Sequence, residues 1–172
     1  MTAAAHEELV RLPTGEEVRL RPMRPEDAPA VQELIHRMTA EDVRMRFFAP
    51  IRELGAALLH RLTHPDPERE VAIVVHEEDA PEILAVGRLG AEPGADAIEY
   101  ALAVRSDMKG HGIGYMLLGR LVEIARQRGY AEIFGLVLRE NERMLEMCKE
   151  FGFTAHDLPE DPAALRLTRR LT

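Results

Sequence analysis

From Glu99 to Leu118 the chain reads E-Y-A-L-A-V-R-S-D-M-K-G-H-G-I-G-Y-M-L-L: a strand pattern, a short turn, three glycines at alternate positions and the start of a helix. Gly110, Gly112 and Gly114 let the backbone turn with its N–H groups pointing inward, and the following helix adds unpaired N-terminal donors and the positive end of its dipole. Such a run is either an anion site or a glycine-rich connector between strand and helix. Spacing excludes the commonest nucleotide loops. G-x-G-x-x-G counted from Gly110 needs glycine where Tyr115 stands, and counted from Gly112 where Leu117 stands; no G-x-x-x-x-G-K-[S/T] run occurs.

With 172 residues, 46% of them hydrophobic, the chain is the size of one domain with a substantial core, and residues 1–172 read as one unit. No apolar run is long enough to span a bilayer, and the opening Met-Thr-Ala-Ala-Ala-His-Glu-Glu is neither a signal sequence nor a lipidation motif. These features lead us to expect a cytoplasmic protein with no membrane partner. The single cysteine, Cys148, has no internal disulfide partner and sits in an apolar helical pattern that suits a buried thiol. A formal charge of −8 and the absence of tryptophan argue against a nucleic-acid partner. An acidic surface suits a cationic partner, and ordinary solubilising charge accounts for it equally well.

Along the chain, Glu8–Leu12 and Glu16–Arg21 alternate around Pro13-Thr14-Gly15, which predicts an N-terminal hairpin over about 7–21. Arg24-Pro-Glu-Asp-Ala-Pro then opens a helix with Glu26 and Asp27 at its positive end and Val31, Leu34, Ile35 and Met38 on one stripe. Thr39 and Asp42 form a capping pair for a second helix bearing Val43, Phe47 and Phe48, and Leu54, Leu58, Leu59 and Leu62 mark a third. His60 and His64 have the spacing of metal ligands, but the glutamate of H-E-x-x-H is missing and Pro65 follows at once, so no metal is expected. Val71–Val75, Ile83–Leu89 and Ile98–Val104 read as an antiparallel meander with Pro, Gly and Asp in its turns. The helix after the glycines carries Ile113, Leu117, Leu121 and Ile124 and ends near Gly129. Ile133–Leu138 is a continuous apolar run expected of a strand buried on both faces and paired in parallel across that helix. Asn141 caps a last helix bearing Met144, Leu145, Cys148 and Phe151, and Phe153–Leu158 with Leu165–Leu171 form a closing hairpin.

The run K-x-x-G-x-G, Lys109 to Gly114, resembles the pyrophosphate loop of the GNAT superfamily of N-acetyltransferases, written Q/R-x-x-G-x-G/A; lysine keeps the cation and loses the planar fork of arginine. Asn141, Met144, Cys148 and Gly152-Phe153 resemble the family's N-x-x-A-x-x-x-Y-x-x-x-G-F, with Met144 for the small residue and Cys148 where many members have tyrosine. The order of elements is similar to the GNAT fold over almost the whole chain. Arg21-Pro-Met-Arg-Pro-Glu-Asp, Arg46-Phe-Phe, Asp66-Pro-Glu-Arg-Glu-Val-Ala and Arg105-Ser-Asp-Met-Lys-Gly look like one branch, the protein-lysine acetyltransferases that modify acyl-CoA synthetases and often carry a regulatory domain absent from these 172 residues.

The resemblance implies an α/β (α+β) fold, a mixed, mainly antiparallel central sheet with one splayed parallel pair and flanking helices. It also implies acetyl-CoA as cosubstrate, with backbone groups of Leu102, Ala103 and Val104 on the pantetheine amides. The loop Lys109, Gly110, His111, Gly112, Ile113, Gly114 and Tyr115 would hold the pyrophosphate, and Asn141 would serve as helix cap, as partner of the arm, or as both. Glu99 is the expected base, because an attacking amine with a pKa near 10.4 is protonated at neutral pH, and the neighbours on its side of the strand, Ala101 and Ala103, are small. The group that protonates the departing thiolate stays open among Cys148, Tyr115, Tyr130 and solvent. A route through acetylated Cys148 is less expected than direct attack in a ternary complex. The expected partner is an amine, a lysine of an acyl-CoA synthetase in the branch named above, with a small-molecule acceptor or a non-catalytic acyl-CoA sensor as alternatives.

Overall fold

In the computed structural model, which describes residues 7–172, the strands β1 (Glu8–Arg11), β2 (Glu17–Pro22), β3 (Glu70–Glu77), β4 (Ile83–Gly90), β5 (Ala97–Val104), β6 (Glu132–Leu138), β7 (Thr154–Asp157) and β8 (Ala164–Arg170) make one sheet. Their order is β1-β2-β3-β4-β5-β6-β8-β7, antiparallel throughout except between β5 and β6. Helices α1 (Ala28–His36), α2 (Ala40–Phe47) and α3 (Ala56–Thr63) lie on one face, and α4 (Ile113–Gln127) and α5 (Glu142–Glu150) on the other. The mixed fold is as expected. Residues 1–6, read above for targeting signals, lie outside the described residues.

Alternation on the strands builds both cores. On β3, Val71, Ile73 and Val75 pack toward α4, while Ala72 and Val74 pack toward α1 and α2. On β5, Ile98, Tyr100 and Leu102 face α4 and Ala103 faces the other side, which places Glu99 on the side of α2. Gly87 on β4 lets α4 close in: a Cβ there would stand 3.2 Å from Leu117.

Three local expectations are corrected. The helix opens later than expected, a 3-10 turn over Pro25–Asp27 preceding α1, and Asp27, the N-cap residue of α1, is buried and accepts from both terminal nitrogens of Arg21 at 2.8 and 2.9 Å and from the Arg24 N–H. Met38 lies beyond the end of α1. Strand β6 is not buried on both faces: Ile133, Gly135 and Val137 are, whereas Phe134 carries the Arg166 guanidinium over its ring at 3.8 Å and Leu136 opens onto a cleft.

That cleft begins where the parallel pairing stops. Ala97, Ile98 and Glu99 pair with Glu132, Ile133 and Phe134, and there the shared ladder ends. Strand β5 stays paired with β4 as far as Val104, and β6 with β8 as far as Leu138, so from Tyr100 onward their facing edges diverge. Tyr100, the first residue past the last pair, lays its ring across Gly135, where a Cβ would meet a ring carbon at 2.0 Å. Gly135→Ala is therefore expected to cost about 1–3 kcal/mol by overpacking. In a Tyr100→Leu background the same change should cost measurably less, and urea midpoints of the two single variants and the double variant check the coupling.

Candidate active site

The divergence opens a cleft of about 760 Å³, with β5 as one wall, β6 and the start of α5 as the other, and the glycine loop with the N-terminus of α4 at its far end. Each sequence-predicted site residue except His111 lines it. The backbone of Gly110 and Gly112 is left-handed, with φ of 87° and 91°. The first intrahelical bond recorded at the N-terminus of α4 is Met116 N–H to Gly112 C=O, which leaves the N–H groups of Ile113, Gly114 and Tyr115 for an acceptor in the cleft. Ile113 offers only backbone, since its side chain is in the core.

The loop is braced from behind by the N-terminal hairpin. Pro13 packs so closely that a Cβ on Gly112 would lie 2.9 Å from its ring, and His111 Nδ1 stands 2.7 Å from Glu16 Oε1. Glu16 is held below the usual carboxylate range by its hydrogen bonds from Thr14 and His111. The imidazole of His111 thus faces the hairpin, and what this residue presents to the loop is its backbone.

Lys109 is also engaged. Its Nζ lies 2.7 Å from Asp42 Oδ1, Ser106 Oγ donates to Asp42 Oδ2 at 2.6 Å, and the Thr39 N–H donates to Ser106 Oγ at 2.7 Å. Burial raises the Asp42 carboxyl, but the hydrogen bonds from Lys109 and Ser106 outweigh it and hold Asp42 below its ordinary value. Thr39 caps α2 as expected, accepting from the Asp42 N–H at 3.1 Å. A second tie, the ion pair Arg44–Glu140, joins α2 to the turn before α5. Helix α2 thus bridges the two walls, and Arg46, one turn after Asp42, lines the cleft on the same helix face.

Sequence reasoning missed three side chains. Arg143, in the first turn of α5, reaches to 3.7 Å from where a side chain at Gly110 would begin and has no hydrogen bond or ion pair among the described residues; its guanidinium has the planar fork that Lys109 lacks. Its signal was present as the residue two past Asn141. Tyr100 lines the cleft and places its Oη 3.0 Å from Cys148 Sγ; burial, together with Cys148, raises the phenol well above its ordinary value. Arg46 is the third, half-buried, with its guanidinium 4.6 Å from the Phe47 ring centroid.

Glu99 stands at the start of the cleft, accessible to solvent. Desolvation by the surrounding walls raises its carboxyl above the ordinary value, against the opposing influence of Arg46 and Arg166. Asn141 Oδ1 accepts from the Met144 N–H at 3.2 Å, so its cap is formed, and the residue lines the cleft as well. Of the other groups considered for the thiolate, Tyr130 follows the far end of α4, away from the cleft, and Tyr115 is 52% exposed with its ring 4.6 Å from that of Phe151. Cys148 is fully buried beneath the cleft without lining it, and burial raises its thiol. Phe48, at φ 60° the only non-glycine residue with positive φ among the described residues, is half-exposed in the cleft wall. His60 and His64 stack ring on ring at 3.8 Å; among the described residues no group of three or more His, Cys, Asp or Glu is placed to hold a metal, and no helix is long and apolar enough to cross a membrane.

The profile of the Acetyltransferase (GNAT) family matches residues 31–153. The chain belongs to the GNAT family. It is an acyltransferase by that membership, and it is similar to acetyltransferase PA5475 of Pseudomonas aeruginosa, 28% identical over 87% of this chain and 82% of that one. The GNAT domain of S. lividans PAT superposes with a TM-score of 0.87 at 28% identity, covering 95% of this chain and 96% of that one. A cAMP-binding acyltransferase from Mycobacterium smegmatis superposes with a TM-score of 0.67 at 25% identity; the match covers 97% of this chain and 48% of that longer one.

Gly112→Ala tests the loop. The strained φ and the Pro13 contact are expected to cost about 1–2 kcal/mol of stability and to weaken coenzyme A binding by roughly tenfold or more as the N–H groups rotate. Calorimetric titration with coenzyme A, alongside a urea midpoint, reads both.

Proposed function

We propose that this GNAT enzyme transfers acetyl from acetyl-CoA to an amine, a protein lysine, by direct attack in a ternary complex. The observation that carries the reading is the arrangement of the cleft: a carboxylate at one end, an anion-binding loop and helix N-terminus at the other, and between them two strand edges that do not pair with each other. The five residues Tyr100–Val104 run about 16 Å. An extended arm with amides along its length fits such a gap as an added strand, pairing with backbone groups of Leu102, Ala103 and Val104, while its diphosphate meets the N–H groups at Gly110–Tyr115 together with Arg143 and Lys109.

In this reading a β5 N–H polarises the thioester carbonyl, and Glu99 takes a proton from the acceptor ammonium, directly or through water. The amine lone pair forms the new C–N bond, the C–S bond breaks, and the nitrogen's second proton is released as coenzyme A leaves as a thiolate, which takes up that proton directly or through water. Enclosure by donor and acceptor strengthens the desolvation already acting on Glu99. Direct attack is favoured over an acetyl-cysteine because Cys148 is buried off the cleft. A protein acceptor is supported by the likeness, over almost the whole chain, to the GNAT domain of S. lividans PAT and by the Arg21, Arg46 and Arg105 motifs.

Thiol release from acetyl-CoA, assayed with an acyl-CoA synthetase and a panel of amines as acceptors, tests the reading. Glu99→Gln is expected to lower kcat by a factor on the order of 10² to 10⁴ and leave coenzyme A binding within about threefold. The base works deprotonated and its carboxyl is raised, so kcat/KM rises with pH through a limb above the ordinary carboxylate range. The glutamine variant loses that limb. Coenzyme binding without turnover on any acceptor would overturn the reading.

A further inference from the structure

Arg46 lines the cleft beside Glu99, in a protein of net charge −8. Arg166 also acts on Glu99, and the charge of Arg46 is felt by Arg88 on β4. Two of the three have partners: Arg88 donates to the Leu62 carbonyl at 2.8 Å and is faced by Glu70, and Arg166 stacks on Phe134 and lies 3.6 Å from Glu132. Arg46 has no hydrogen bond and no ion pair within 4 Å among the described residues, although it is half-buried and the ties of Asp42 and Arg44 fix the helix that carries it. One face of its guanidinium lies toward Phe47, and its donors are uncommitted.

Burial lowers the neighbouring Arg88 to about 10, with the charge of Arg46 adding to the effect. The carboxylate set against Arg46 is Glu99. In the proposed reaction Glu99 accepts a proton and loses its charge at the moment of transfer, which leaves Arg46 partly buried beside another cation with no anion opposite. A substrate can supply that anion. A polycationic acceptor would instead bring more positive charge to this end of the cleft.

We propose that the acceptor is an amine with a carboxylate close to its nucleophilic nitrogen, and that Arg46 binds that carboxylate through its free guanidinium fork. The inference rests on the transferase reading and narrows its substrate class. The carboxylate belongs either to an aspartate or glutamate beside a protein lysine or to a free amino acid, and the chemistry at Arg46 is the same.

The test uses matched pairs of acceptors at saturating acetyl-CoA: capped peptides Glu-Lys-Glu and Gln-Lys-Gln, and 4-aminobutyrate and n-butylamine. Wild type is expected to show kcat/KM roughly tenfold higher for the carboxylate-bearing member of at least one pair, expressed mainly in KM. In Arg46→Met that preference falls to within about twofold, and in Arg46→Lys part of it returns. Any change in Glu99 basicity alters both members of a pair alike, so the ratio isolates recognition, and a urea midpoint guards against misfolding. A peptide preference identifies a lysine with an acidic neighbour, and a preference in the small pair identifies an amino acid. Turnover that ignores the carboxylate, or a preference that survives Arg46→Met, overturns the inference and leaves the transferase reading standing. Absence of turnover on every acceptor overturns both.

Discussion

Strands β5 and β6 share a ladder for three residue pairs and then separate, while each keeps its other neighbour. Ordinary sheets do not leave two inner edges facing each other without a partner, because unpaired backbone groups are costly and adhesive. Here the contact between Tyr100 and Gly135 marks the point of divergence, and α4 and α5 close the gap from below. The cleft, its amide-bearing walls and the position of Glu99 all follow from that interrupted pairing. Gly114, packed between Val104 and Met147, brings the end of β5, the start of α4 and α5 together at the far end.

Helix α2 gives the cleft its second half. It is short and mostly polar, and it is held less by burial than by its ends: Thr39 and Asp42 reach Ser106 and Lys109 on one wall, and Arg44 reaches Glu140 on the other. One consequence is that Lys109 is already paired with a carboxylate, whereas Arg143, beside the loop, has no hydrogen bond or ion pair among the described residues. Another is that Arg46 is carried over the cleft beside Glu99, where its charge opposes the rise in the Glu99 carboxyl that burial produces.

Much of this was legible in the sequence because it depends on local rules. The alternation of β3 to β5, the Thr39 and Asn141 caps, the left-handed glycines of the loop and the parity that sets Glu99 apart from Tyr100 and Leu102 are each fixed by neighbours a few residues away. The pairings between distant residues were not legible. Lys109 with Asp42, His111 with Glu16 and Tyr100 with Cys148 join elements whose relative placement only the fold decides. The apolar run Ile133–Leu138 misled for a related reason: Leu136 is apolar and lines a cleft, and periodicity does not separate an apolar cleft wall from burial in the core.

Amide hydrogen exchange over β5, with and without coenzyme A, tests the central claim most directly. If the divergent strands receive an amide-bearing arm, the cleft-facing amides between Tyr100 and Val104 gain roughly tenfold or more protection on binding, in addition to those of the loop at Gly110–Tyr115. Protection confined to the loop, with β5 unchanged, would contradict the account.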